Sequence, residues 1–167
     1  MQIRKLEKGD ASALRECRLF GLEESPEAFL VTYDEVSGMP LSDVESELTH
    51  EHIHYVGAFI DEKLVGFMRF VRFHRQARQH VAGVRSVYVR KDWRGQGVGA
   101  ALLRRLIDDA NSARIESLQL CVLANNPAAR RLYESCGFKL YGTEPQAIKK
   151  ADRYTDLALY VLMIASV

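Results

Sequence analysis

The chain has 167 residues, an apolar fraction of 47%, and 23 Lys and Arg against 22 Asp and Glu. That is enough for one domain, residues 1–167, with a real core, and it leaves no global field to favour nucleic acid or a membrane. Cys17, Cys121 and Cys136 are odd in number, widely spaced and set in apolar surroundings, so buried free thiols in a reducing cytoplasm are expected rather than a disulfide framework. The first ten residues are too charged for a signal peptide, and no apolar run reaches the ~18 residues of a membrane span; a soluble cytoplasmic protein is expected.

In chain order, residues 2–6 read as a short strand. Asp10 can cap a helix through about residue 22, with Leu14, Cys17 and Phe20 or Gly21 on one face. Pro26 then biases Ser25 away from helical geometry. Ser42-Asp-Val-Glu45 matches a capping box, predicting a second helix to about residue 51 with Val44 and Leu48 inward. Residues 54–60 and 64–73 flank a turn at 61–63 and read as a hairpin. A strand over 82–90 follows, then a helix from Val98 to about residue 113 that carries Leu102, Leu103, Leu106, Ile107 and Ala110 at helical spacing. Residues 117–123 read as a buried strand, Asn126-Pro127 as a helix start and Gly137 as its stop. Two more strands, 138–142 and 154–164, complete the order βααββ-βα-βα-ββ. The fold class is α/β with a mixed sheet.

The most informative stretch joins the third of these long strands to its helix. Gly95, Gly97 and Gly99 let the backbone curl tightly and approach a ligand. The first amides of the helix after them have no partner within the helix, and the positive end of its dipole adds to them, so the turn suits a phosphate. Gly95-x-Gly97-x-x-Ala100 also fits the dinucleotide fingerprint, but residues 91–94 separate strand from glycine and Glu116 lies before its strand, so that reading is unlike the pattern. A triphosphate loop would need Gly-Lys-Ser/Thr, which is absent.

Val87-Tyr88-Val89 followed by Arg94-Gly95-Gln96-Gly97-Val98-Gly99-Ala100 resembles the acetyl-CoA signature of the GCN5-related N-acetyltransferases (GNAT), Arg/Gln-x-x-Gly-x-Gly/Ala. Asn126-Pro-Ala-Ala-Arg-Arg-Leu-Tyr133, followed by Glu-Ser-Cys-Gly-Phe138, resembles the second signature of that family. The element order matches as well, and the segment Ser25-Pro-Glu-Ala-Phe29 with Tyr33 and Glu35 is similar to one common in small bacterial members. The resemblance implies a sheet of about seven strands flanked by about four helices, and acetyl-CoA as cosubstrate. It implies that the amides of Gly95, Gln96, Gly97, Val98, Gly99 and Ala100 hold the CoA diphosphate, with Arg94 adding charge. Backbone groups of Val87, Tyr88 and Val89, where this strand splays from 117–123, would take the pantetheine arm and the acetyl carbonyl. Asn126 would contact the pantetheine or phosphate region, and Tyr133 would sit near the thioester sulfur.

Acetyl transfer to an amine needs a neutral amine, a polarised carbonyl and a proton for the departing sulfur. A lysine-type amine titrates near ~10.4 and must lose its proton first. The Val89 amide is the family-based donor to the carbonyl oxygen, and Tyr133 is the expected general acid. Tyr133 also shares helical spacing with Ala129, Leu132 and Cys136, so a core role is the alternative. No carboxylate lies in 80–88 to serve as a dedicated base, which favours a water relay; His80 and Tyr88 are candidate members, though a surface or packing role is the preferred reading of each alone. His50, His52 and His54 lack a ligand set at metal spacing, and no metal is expected. The basic residues Arg69, Arg72, Arg75 and Arg78 are as consistent with a solvated surface as with a site. The acceptor region of the family corresponds to 23–35 and 143–153, where Glu23, Glu24, Glu27, Asp34 and Glu35 could attract a cation or equally form a solvated acidic loop. Glu24, Phe29 and Tyr33 are the acceptor candidates. A small-molecule amine, or a peptide or protein amine, is the expected partner. Neither nucleic acid nor membrane is expected, and a homodimer is compatible with the sequence. An acyl-CoA sensor of the same fold without turnover is the competing class.

Overall fold

Local chemistry and the sheet explain most of the element boundaries in the computed structural model, which describes residues 1–26, 29 and 31–164. The strands are β1 (Gln2–Lys5), β2 (Ile53–Ile60), β3 (Lys63–Arg72), β4 (Val81–Val89), β5 (Ser117–Leu123), β6 (Lys139–Lys150) and β7 (Arg153–Met163). The helices are α1 (Ala11–Glu24), α2 (Tyr33–Ser37), α3 (Leu41–Thr49), α4 (Val98–Ser112) and α5 (Pro127–Ser135). The mixed sheet runs in the order β1-β2-β3-β4-β5-β7-β6. By compactness the chain divides into a first unit, Met1–Val71 with Arg85–Leu106, and a second, Arg72–Val84 with Ile107–Val167.

In the first unit β1, β2 and β3 pair antiparallel. Asp61 and Glu62 both take positive φ, +48° and +64°, the two-residue turn whose twist matches the flanking strands. Leu6, Leu14, Val44, Tyr55 and Phe67 are buried among the neighbouring elements. Asp10 does not cap α1. Its carboxylate accepts from the Glu7 amide at 2.8 Å and pairs with Arg4 at 2.7 and 2.8 Å, closing the 3-10 turn that precedes the helix. Nor does Ser42 cap α3, which starts after Pro40 with no side-chain cap. The capping box belongs instead to Thr32 and Glu35, which start the short α2 that periodicity did not predict. Phe20 is 37% exposed, so Gly21 completes the inward face of α1.

In the second unit β4 pairs β5 in parallel, and β5 pairs β7 antiparallel. Strand β6 runs to Lys150, well past the expected residue 142, with register shifts near Gly142 and between Glu144 and Ile148. It lies last in the strand order, and on such an edge Pro145 removes no needed ladder donor. The thiols divide: Cys17 is buried, Cys121 is exposed and Cys136 is intermediate. The expectation of three buried thiols therefore holds for Cys17 alone, because β5 faces outward at Cys121. Among the described residues no helix is long and apolar enough to cross a membrane.

Candidate active site

The glycine turn grows out of β4. Within that strand Ser86 has φ +53°, a left-handed conformation that costs a non-glycine residue roughly 1–3 kcal/mol and breaks the pleat. Pairing with β5 covers only Val81, Ala82 and Gly83. Among the described residues, the edge of β4 that pairs β5 has no such partner at Val87–Val89. A 3-10 turn, Lys91–Trp93, then leads to Gly95 and Gly97, with φ of +74° and +80°. A Cβ at either would meet nothing within 4 Å, so backbone conformation rather than crowding requires glycine there. Gly99 has no left-handed φ; it lies in the first turn of α4.

The amide of Ala101 is the first to find a backbone acceptor, at 2.9 Å on Gly97 O. Among the described residues, the amides of 95–100 have no backbone acceptor. An exposed turn of unpaired amides ahead of a 15-residue helix can hold an anion. The Gln96 carboxamide folds back to donate to Asp92 O at 2.8 Å, leaving the turn to its backbone.

Arg94 does not reach across the glycines. Its Nε donates to Val89 O at 2.8 Å and its terminal nitrogen to the Glu24 carboxylate at 3.0 Å. Glu24 also accepts from the Tyr88 hydroxyl at 2.9 Å and from the Lys91 amide at 3.2 Å. Burial, and then the bond to Glu24, push the Tyr88 phenol above its ordinary value. The Tyr88 ring is core, 5.6 Å from Phe29 and 5.9 Å from Phe67. Of the acceptor candidates, then, Glu24 is engaged, Phe29 packs on Tyr88, and Tyr33 is 41% exposed at the start of α2. Glu27 and Ala28 lie outside the described residues. The sequence did carry a signal for Glu24: α1 ends on two acidic residues, against the helix dipole. The kink at Ser86 had none.

In the second unit Asn126 caps α5, its side-chain oxygen accepting from the Ala129 amide at 3.1 Å with Pro127 in the first turn. Tyr133, on α5, is 5% exposed and packs edge-on to Phe138 at 6.0 Å. Burial, and then the nearby Cys121, raise its phenol above the ordinary tyrosine value. The hydroxyls of Tyr55, Tyr88 and Tyr160 all bond to carboxylates; among the described residues, none bonds to that of Tyr133. Sequence reasoning missed the neighbouring triad in which Arg130 Nε donates to Tyr160 at 3.0 Å and Tyr160 donates to Glu134 at 2.7 Å. His80 is exposed and serves through its carbonyl, which accepts from the Glu116 and Ser117 amides. His54 stacks on Phe70 at 4.9 Å, and the His50 Nδ1 accepts from the His52 amide.

A family model described as "Acetyltransferase (GNAT) family" matches residues 17–138. The N-alpha-acetyltransferase RimI of Mycobacterium tuberculosis is 36% identical over 115 residues, 65% of this chain and 68% of that protein. The L-methionine sulfoximine/L-methionine sulfone acetyltransferase of Pseudomonas paraeruginosa is 36% identical over 77 residues, 46% of this chain and 45% of that protein, so the chain spans about half the length of this relative. The structure of yncA from Salmonella typhimurium, with its cofactor acetyl-CoA, is similar with a TM-score of 0.80 and 25% identity over 98% of this chain and 93% of that one. The family match contains both the glycine turn and the segment from Asn126 to Phe138, and on it the chain belongs to the acetyltransferase (GNAT) family.

Proposed function

We propose that the chain is an acetyl-CoA-dependent N-acetyltransferase that passes the acetyl group directly to a primary amine. The observation that carries this reading is the turn at 95–100, with left-handed glycines, unpaired amides and a helix directly behind. Those amides would hold the diphosphate. Backbone groups of Val87, Tyr88 and Val89 would hold the pantetheine arm, and the carboxamide of Asn126 would add a contact while its oxygen caps α5.

The chemistry asked of the protein is modest. The amine nitrogen attacks the thioester carbon, the carbon–sulfur bond breaks, and the sulfur leaves with the electron pair. The Val89 amide would donate to the carbonyl oxygen as charge develops there. Tyr133 would protonate the sulfur. A tyrosine hydroxyl is protonated through the neutral range, and among the described residues no carboxylate bonds that of Tyr133. Burial raises its pKa and makes it a weaker acid, so its role rests on position near the sulfur. With no carboxylate in 80–88, the amine would lose its proton to water. The two curated relatives act, by name, on an amino-acid analogue and on an N-alpha position; an α-amino group is accordingly the acceptor class to screen first.

The test is a panel of α-amino compounds and N-terminal peptides with detection of released CoA thiol and mass spectrometry of the product. Thiol release with a product 42 Da heavier (the mass of one acetyl group replacing one hydrogen) is expected. Tyr133→Phe should lower kcat about 10²-fold or more with little change in CoA affinity. Binding of acetyl-CoA without thiol release from any amine would instead identify a sensor.

A further inference from the structure

Glu24 goes against its local context. It ends α1, whose last turn holds no basic residue, and a carboxylate there opposes the helix dipole. Residues that break a local preference are where a compensating role is to be sought. The Glu24 carboxylate gathers donors from one short stretch of chain: the Tyr88 hydroxyl at 2.9 Å, the Lys91 amide at 3.2 Å and the Arg94 guanidinium at 3.0 Å. That stretch is the approach to Gly95. Arg94 is fixed a second time by Val89 O at 2.8 Å and reaches the Ser25 hydroxyl at 3.4 Å. Gly21, one turn earlier on α1, completes the seat: a Cβ there would lie 3.0 Å from the Tyr88 ring. The ring rests on bare helix backbone while its hydroxyl meets the carboxylate.

We propose that Glu24 is a positioning residue for the diphosphate-binding turn, holding Tyr88, Lys91 and Arg94 together so that residues 95–100 are preformed. This rests on the reading of that turn as the acetyl-CoA site. A role in attracting the acceptor amine fits less well, because the carboxylate is 18% exposed and already accepts from three groups. Two effects oppose each other when its charge is removed. A negative charge near a diphosphate disfavours binding, but Arg94 neutralises this one and solvent screens what is left. Release of Arg94 disorders the run into the glycines, and that ordering must then be recovered on binding. The second effect dominates, so removal weakens binding.

Calorimetry with coenzyme A on the full chain tests the proposal. Glu24→Gln keeps the volume and one neutral acceptor oxygen, which Tyr88 and Lys91 can share, but loses the ionic partner of Arg94. Its Kd should rise about tenfold while its melting temperature stays near that of the wild type. In an Arg94→Gln background the same substitution should change Kd by less than about twofold, a coupling that a merely structural role would not produce. Should Glu24→Gln fail to fold, Tyr88→Phe decides, with about a threefold rise in Kd expected and an unchanged Kd overturning the idea. A Glu24→Gln protein that binds coenzyme A as tightly as the wild type overturns it, as does a tenfold loss undiminished without Arg94. Wild-type protein that gives no heat with coenzyme A would defeat the diphosphate reading itself, and the positioning role with it.

Discussion

Two carboxylates in the first unit sit in networks of nearly the same composition. Glu47 on α3 accepts from Arg18 at 2.5 Å, from the Tyr55 hydroxyl at 2.7 Å and from Arg69 at 3.2 Å. Glu24 accepts from Arg94, the Tyr88 hydroxyl and the Lys91 amide. Each has a tyrosine hydroxyl and a guanidinium, but where Glu47 has a second guanidinium Glu24 has a backbone amide, and their surroundings differ. Around Glu47 the partners come from α1, β2 and β3, and the side chains of Arg18, Arg69 and Glu47 are 10%, 22% and 24% exposed. Around Glu24 the donors come from one stretch beside the glycine turn; its carboxylate is 18% exposed, no more than that of Glu47, but its ionic partner Arg94 is 44% exposed. A carboxylate joining four core elements secures the fold; one joining a single stretch to a helix end shapes a site. Ion pairs of like appearance thus differ in worth according to what desolvates them.

Substitutions can break or sharpen this contrast. The largest effect is expected for Glu47→Ala, which leaves Arg18 and Arg69 without their carboxylate; unfolding free energy should fall by about 3 kcal/mol in a denaturant titration. Glu24→Gln should cost under about 1 kcal/mol by the same measurement, because its ion pair is partly solvated. Equal losses from the two would erase the distinction.

A labelling experiment reads the same contrast from inside the core. Cys17 neighbours Arg18 on α1, and burial pushes its thiol up to about 12. In a chain carrying Cys121→Ser and Cys136→Ser, Cys17 should react with a thiol reagent only on opening. Glu47→Ala should speed that reaction about 100-fold, and Glu24→Gln by no more than about fivefold.

Acid gives a smaller effect of defined sign. Burial alone would raise the Glu47 pKa, but the bond and charge of Arg18, the Tyr55 hydroxyl and the charge of Arg69 outweigh it, so the carboxyl titrates below its ordinary value. A lowered folded-state pKa means that its stabilisation is present above the unfolded value of ~4.3 and is lost as pH falls through the folded one. Stability of the wild type should therefore fall more steeply below about pH 4.3 than that of Glu47→Gln. Asp10 titrates low for the same reason, through its bond to Arg4, and the slope it contributes should be unaffected by Glu47→Gln.

Much of the fold was legible because it rests on local rules. The period of α4 predicted Leu102, Leu103, Leu106, Ile107 and Ala110; all are at 0% exposure except Ile107, which is half-buried at the edge of that face. Asn126-Pro127 and Gly137 marked the ends of α5, where Gly137 has φ +92°. The hairpin of β2 and β3 was equally plain. Errors arose where several residue sets could do one job. Asp10 and Ser42 have capping side chains, but Arg4 drew off the first, and Pro40 moved the start of α3 so that Ser42 fell inside it. The β6 extension was hidden by Pro145, which reads as a breaker unless its strand is known to lie on an edge.

For the site, sequence alone determined the backbone-borne part. Glycines at 95 and 97, a helix behind them and a capped α5 that carries Tyr133 follow from dihedral freedom, unpaired helix amides and periodicity, all of which act over a few neighbouring residues. What Arg94, Glu24 and Tyr88 do was decided only by tertiary structure. Glu24 and Arg94 lie 70 residues apart in the chain, and no local preference selects a partner for a charge across that distance; the packing of α1 beside the end of β4 does.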